Sequence, residues 1–278
     1  MLDLADPSVI RGVARRFGVR YQRRWGQNFL ADREQLDRIV TALEIASADR
    51  IVEVGPGLGA LTMELASRAR AVAGVEIDPA CVKALGLTLR DRSNVRIVEA
   101  DILRTAVSEL LPSPYRVAGN IPYNLTGALF VHLLEQPSPP ARIDLLVQKE
   151  VAERLVAPPG DWSLATLGVR VYGRPELTVR VPRSAFVPPP RVDSALVRIT
   201  PDAEPAIPRA DLATFFQFVT PFFQARRKQL TFVLGRRRGV SGPEARARLS
   251  VIGIDPARRA ETLTLEEWRR LFENERDR

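Results

Sequence analysis

The run Glu53-Val54-Gly55-Pro56-Gly57-Leu58-Gly59 sets three glycines at alternate positions, directly after a β-rich segment and at the start of a helical one. Glycines so placed let the backbone turn tightly and approach a ligand without Cβ clashes. Glu76 follows 21 residues after Gly55 and ends the next β-rich segment in Val75-Glu76-Ile77-Asp78. A carboxylate at that place can accept hydrogen bonds from both hydroxyls of a ribose. Asp101 ends the following segment in Glu99-Ala100-Asp101-Ile102. One acid at a strand end more often caps a helix, but three such features in register point to an adenosine-type ligand. Gly55, Gly57 and Ala60 also satisfy the dinucleotide fingerprint, which keeps a nicotinamide enzyme in view. That alternative gives no task to the motif at Asn120, and the only histidine, His132, sits in a helical run beside Leu133 and Leu134, where packing is the natural role.

Gly119-Asn120-Ile121-Pro122-Tyr123-Asn124 closes the fourth β-rich segment. It resembles the Asn/Asp-Pro-Pro-Tyr signature of methyltransferases that modify exocyclic amino groups of bases. The glycine loop, with Pro56 and the extra Gly59, is similar to the Glu-x-Gly-x-Gly-x-Gly loop of class I methyltransferases. The resemblance implies S-adenosylmethionine as cofactor, with its amino-acid portion against Gly55 and Gly57, its ribose on Glu76 and its adenine amine on Asp101. A physical reason supports the second motif. An adenine amino nitrogen delocalises its lone pair into the ring and is a weak nucleophile. The Asn120 side-chain oxygen and a backbone carbonyl, on a loop stiffened by Pro122, can accept its two N–H bonds and favour pyramidal geometry. Tyr123 can stack on the base and hold it in line with the sulfonium methyl. No strong general base is needed, because the proton can leave after transfer.

These motifs must be carried at strand ends. Strands are expected at Ile51–Val54, Ala71–Ile77, Val95–Ala100, Tyr115–Ala118 and Ile143–Gln148, separated by helical patterns at Leu58–Arg68, Pro79–Arg90 and Leu125–Glu135, with a further interval around Ile102–Leu111. Strand and helix in alternation imply a doubly wound, mostly parallel α/β sheet with its ligand at the carboxyl ends of the strands. A helix at Arg33–Leu43, capped by Asp32, precedes it. β-rich segments at Thr166–Tyr172, Glu176–Val181 and Val192–Ile199 follow and are expected to complete the sheet with antiparallel strands. The proline-rich stretch 201–208 reads as a linker. Helical patterns then run over Ala210–Phe223, Arg226–Leu234, Pro243–Val251 and Leu265–Phe272. The expected organisation is a catalytic domain over 1–200, a linker over 201–208 and a small all-helical domain over 209–278.

Composition narrows the class. The 278 residues carry 41 Lys+Arg against 33 Asp+Glu, a net charge of +8, and 45% hydrophobic residues, enough for a sizeable core. No run of 18 apolar residues occurs and the first residues do not read as a signal peptide, so a cytoplasmic protein away from membranes is expected. One cysteine, Cys81, and one histidine leave no internal disulfide and no zinc cluster. Only Lys83, Lys149 and Lys228 are lysines. Arginine suits phosphate through its planar fork, although codon bias or thermophily also produces such a skew. Placement is more telling. Arg11, Arg15, Arg16, Arg20, Arg23 and Arg24 fall in an acid-free stretch with Phe17, Tyr21 and Trp25, and a second such stretch carries Arg226, Arg227, Lys228, Arg236, Arg237 and Arg238. Basic clusters mixed with aromatics fit nucleic acid, while a solvated charged face is the commoner origin of a charge run.

Further motifs extend the resemblance along nearly the whole chain, which is identified as a member of the ribosomal RNA adenine N6-dimethyltransferase family. Gly26-Gln27-Asn28-Phe29-Leu30 resembles the family's N-terminal signature and implies that Asn28 and Leu30 border the cofactor. Phe186-Val187-Pro188-Pro189-Pro190-Arg191-Val192 is similar to its Phe-x-Pro-x-Pro-x-Val segment, which implies that Phe186 sandwiches the target base opposite Tyr123. Phe223-Gln224-Ala225-Arg226-Arg227-Lys228 resembles the Arg-Arg-Lys signature of its helical domain. Asn120, Pro122, Tyr123 and Phe186 are thus the expected catalytic residues, and Asn28, Leu30, Gly55, Gly57, Glu76, Asp101 and Asn120 the cofactor contacts, with no metal. One branch of the family dimethylates two adjacent adenosines in the 3′-terminal hairpin of 16S rRNA within the pre-30S subunit, and another modifies large-subunit RNA in antibiotic resistance. Ile121 is common in the second branch, but the Arg-Arg-Lys and triple-proline segments favour the first. A monomer acting on 16S rRNA is the expectation, and a non-enzymatic RNA- or DNA-binding factor on the same fold is the rival of another class.

Overall fold

The inner parallel strands are mostly apolar, as strands covered on both faces require. The computed structural model describes residues 2–20, 27–122 and 125–276. In chain order its first elements are α1 (Pro7–Phe17), β1 (Phe29–Leu30), α2 (Arg33–Leu43), β2 (Arg50–Val54), α3 (Ala60–Arg68), β3 (Ala71–Glu76), α4 (Pro79–Thr88), β4 (Val95–Glu99), β5 (Arg116–Asn120), α5 (Thr126–Leu134) and β6 (Arg142–Gln148). Then come α6 (Lys149–Val156), α7 (Leu164–Arg170), β7 (Gly173–Val181), β8 (Phe186–Val187), β9 (Ser194–Pro201), α8 (Leu212–Gln224), α9 (Leu230–Arg238), α10 (Gly242–Val251) and α11 (Leu265–Arg276).

Seven strands make one sheet in the order β4-β3-β2-β5-β6-β9-β7, and β1 pairs with β8 in a separate two-stranded ribbon. β4, β3, β2, β5 and β6 are parallel, and β9 joins β6 antiparallel. The chain winds outward from β2 to β3 and β4, then returns to place β5 on its other side. The crevice at the carboxyl ends of β2 and β5 is therefore the topological switch point of the sheet. Close approach there depends on Gly119, where a Cβ would lie 2.5 Å from the Val54 carbonyl oxygen.

The helices are positioned by their caps and apolar faces. Asp32 accepts from the Gln35 amide at 3.0 Å and starts α2, whose Leu36, Ile39, Val40 and Leu43 pack with Ile51, Leu65, Val72, Leu146 and Leu196. Burying such a side chain is worth about 1.5–3 kcal/mol. A second cluster joins Ile10, Val13 and Ala14 of α1 to Leu58, Cys81 and Ala84. Asp6 caps α1 and Pro7 occupies its first turn, a helix that the charge pattern had obscured.

Contacts divide the chain into two units, Met1–Ala152 with Pro175–Pro201, and Glu153–Arg174 with Asp202–Arg278. The helical unit thus includes a segment expected in the sheet. Thr166–Tyr172 is not a strand: α7 covers Leu164–Arg170 because Ser163 and Thr166 form a reciprocal capping box. Nor is 201–208 free in this unit. The Asp202 amide donates to Tyr172 and the Ala206 amide to Val171, both at 2.8 Å, and Ile207 is buried. Around α8, Phe215, Phe222 and Phe223 meet Trp268 and Phe272 at ring separations of 5.3–5.4 Å.

The expected helix from Arg226 begins only at Leu230. Arg226–Lys228 occupy a turn, closed by the Lys228 amide on the Ala225 carbonyl at 2.7 Å, because Ala225 leaves helical geometry and Gln229 is extended.

Candidate active site

A single cavity opens at the switch point. Asn28, Leu30, Gly55, Gly57, Glu76, Asp101, Asn120 and Pro122 all line it.

The glycine loop is folded by positive φ at Gly55 and Gly57, 65° and 59°. A Cβ on Gly57 would lie 2.8 Å from the Phe29 ring, so only glycine lets β1 close over the loop. Glu76 locks the loop from below. Its Oε2 accepts from the Gly57 amide and its Oε1 from the Asp78 amide, each at 2.9 Å. Burial raises the Glu76 pKa, opposed by these amide bonds. Asp78 in turn accepts from the Gln27 side chain at 2.7 Å, which fixes the segment leading into β1.

Asp101 caps a short 3-10 turn through the Leu103 amide at 3.0 Å, and it also lines the cavity. Asn120, the last residue of β5, donates from Nδ2 to the Asn28 carbonyl at 2.8 Å. That bond orients the amide, because the atom not used as donor is the oxygen. Leu30 is held by pairing with Phe186 across the β1–β8 ribbon.

One expected residue is placed otherwise. Phe186 is 2% exposed and packs in the core with Leu30, Leu36 and Ile39. It is not among the cavity's lining, so it stands behind the wall and offers no face to a base here. Tyr123 lies outside the described residues, as do Tyr21, Arg23, Arg24 and Trp25. Arg11, Arg15, Arg16 and Arg20 are exposed. His132 has Nε2 3.0 Å from the Thr105 carbonyl, a packing role. Among the described residues no cluster of His, Cys, Asp and Glu could hold a metal, and no helix is long and apolar enough to cross a membrane.

Glu53 opens the glycine motif; it is 1% exposed, lines the cavity, and its Oε2 has no hydrogen-bond partner among the described residues. Burial pushes its pKa up to about 8, against the Thr62 hydroxyl and with reinforcement from Glu76. A buried acceptor without a donor is a place for a ligand's N–H. The donor set and the glycine cradle fit a nucleoside carrying an amino-acid tail. The only sequence signal for Glu53 was a carboxylate inside β2, flanked by Ile51, Val52 and Val54.

A family model described as ribosomal RNA adenine dimethylase matches residues 18–276. The chain is 42% identical over 248 residues to a protein of Dehalococcoides mccartyi named ribosomal RNA small subunit methyltransferase A, covering 88% of this chain and 85% of that one. It is 39% identical to a protein of the same name from Pelotomaculum thermopropionicum, covering 96% of each. Among solved structures, the 23S rRNA methyltransferase ErmE matches with a TM-score of 0.71 at 33% identity, over 89% of this chain and 99% of that one. A dimethyladenosine transferase from Plasmodium falciparum shares the fold, with a TM-score of 0.72 at 22% identity over 88% and 96%. The chain belongs to the ribosomal RNA adenine dimethylase family, enzymes that draw their methyl groups from S-adenosylmethionine.

Proposed function

We propose that this protein dimethylates the N6 amino groups of two adjacent adenosines in the 3′-terminal hairpin loop of 16S rRNA, acting as a cytoplasmic monomer on the pre-30S subunit. The observation that carries the reading is the convergence of the glycine loop, Glu76, Asp101 and Asn120 on one cavity. The choice of small-subunit RNA rests on the names of the relatives at 42% and 39% identity.

S-adenosylmethionine supplies an electrophilic methyl group. Gly55 and Gly57 admit its amino-acid portion, bordered by Asn28 and Leu30, and Glu53 Oε2 is an acceptor for its ammonium. Glu76 accepts from the ribose hydroxyls, and Asp101 takes the adenine amine. The Asn120 oxygen draws an N–H of the target adenine out of the ring plane, which returns the lone pair to nitrogen. Pro122 stiffens the loop and Tyr123 stacks on the base, an adenosine having been turned out of its stack. As the amino nitrogen takes the methyl, the carbon–sulfur bond of the sulfonium would break and leave a neutral thioether, and the nitrogen's proton then leaves to water. Phe186 acts as a positioning residue, holding Leu30 from behind. Arginines of α1 and of the helical unit contact phosphates and register the RNA.

The test is incubation with labelled S-adenosylmethionine and separated, unmethylated small and large subunits. Label confined to small subunits is expected. Label only in large subunits would select the activity of the 23S rRNA methyltransferase ErmE, and none would favour a binding factor without catalysis.

A further inference from the structure

Basic residues around the start of α9 are left without acids. Arg226, Arg227 and Lys228 in the turn, Arg236 one helical turn beyond Phe232, and Arg259 are exposed, and none takes part in an ion pair among the described residues. The neighbouring Arg238 is different, since it is bonded to buried Glu275 at 2.9 Å, and Arg237 lies over the Phe218 ring at 5.1 Å. Arg259 belongs to the patch because the Arg258 carbonyl accepts the first α9 amide, that of Leu230, at 2.8 Å.

The first turn of α9 carries no acid and Gln229 provides no side-chain cap. Cations beside a helix N-terminus oppose its dipole, so this arrangement is unfavourable until an anion arrives. Between Lys228 and Arg236 in sequence, Phe232 is 50% exposed, with Lys228 Nζ 5.2 Å from its ring centroid. An exposed aromatic with Lys228 beside its ring and further unpaired cations near it in sequence offers a base a stacking surface and its flanking phosphates their counter-charges.

We infer that Phe232 is a stacking platform for an unpaired nucleobase of the RNA substrate, with the Arg226–Lys228 turn and Arg236 holding the adjoining phosphates. This rests on the RNA reading above and adds to it a contact that recognises a base away from the methylation cavity. Stacking and phosphate contact differ in their dependence on salt. Loss of a stacked base weakens binding at every salt concentration, whereas loss of a phosphate contact also flattens the slope.

The experiment compares wild type, Phe232→Leu and Phe232→Trp for binding to unmethylated small subunits across a salt series, with thermal melting of each protein. The leucine variant is expected to bind about 5- to 100-fold more weakly with its salt slope unchanged, and the tryptophan variant close to wild type. The added tryptophan fluorescence should be quenched on binding, a readout independent of the leucine variant's folding. Wild-type affinity in the leucine variant, or no quenching in the tryptophan variant, overturns the inference while leaving the proposed function standing. Failure of wild type itself to bind or methylate small subunits overturns both.

Discussion

Asn120 Nδ2 and the Asn28 carbonyl oxygen stand 2.8 Å apart, a bond between residues 92 positions apart in sequence. It joins the end of β5 to the strand that closes over the glycine loop, so the residue proposed to engage the target base is aimed by the segment proposed to border the cofactor. Asn120→Ala should therefore reduce kcat at least about 100-fold, since small misplacements at a reacting centre cost that much. Cofactor affinity, measured by calorimetry, should change far less. Dimethylation at the wild-type rate would refute the assignment.

Glu76 spends one oxygen on Gly57 and the other on Asp78, with lone pairs remaining for a ribose. Glu76→Ala is expected to weaken cofactor binding about 10- to 100-fold, the usual worth of bonds to a charged acceptor. Unchanged affinity by calorimetry would remove Glu76 from the ribose contact.

Glu53 makes stability depend on pH. Its folded pKa, about 8, lies above its ordinary value of 4.5. The stability linked to its neutral form is complete below 4.5 and is lost as pH rises through about 8. The full difference corresponds to about 5 kcal/mol. Glu53→Gln, which cannot ionise, should melt increasingly above wild type as pH goes from 5 to about 9. Parallel melting curves across that range would contradict the burial argument.

Asp144 is 1% exposed at its side chain and receives Arg142 Nε at 2.7 Å, Arg198 Nε at 2.9 Å and Arg116 at 3.4 Å. Arg116 and Arg142 also donate to the Leu43 carbonyl, and Arg198 to that of Ala42, at the end of α2. Asp144→Ala leaves three mostly buried guanidinium groups without their common partner. Denaturant unfolding should show a loss of about 3–5 kcal/mol, and a loss below 1 kcal/mol would mean that Asp49 and Glu44 suffice.

Replacing Arg226, Arg227 and Lys228 together with glutamine should weaken binding to small subunits and reduce the salt slope of log K by about 2 to 3. Their side chains are exposed, so melting should be little affected. An unaltered slope would place the RNA elsewhere.

The parallel half of the fold was readable because β2, β3 and β6 are mostly apolar and α4 starts with a visible cap, Asp78 before Pro79. α7 was misread because Thr166–Tyr172 alternates like a strand, and the capping box that decides the matter lies just upstream at Ser163. β1 has two residues and exists only through pairing with Phe186–Val187, so no local pattern could announce it. In the site, the glycines and strand-end acids were legible by spacing. The burial of Phe186 and the orphaned oxygen of Glu53 were not, since both depend on what packs around them.

The pairing of residues 202–206 with Val171 and Tyr172 has a consequence for the order in which the protein is made. α7 emerges during translation well before α8, with β7, β8 and β9 in between, so the helical unit begins early and is finished last. A chain stopped after β9 would carry the Ser163 capping box but none of the partners supplied from Asp202 onward. Shortened versions of this protein should therefore be cut as two-piece assemblies, keeping Glu153–Arg174 with the C-terminal helices, rather than severed at residue 200.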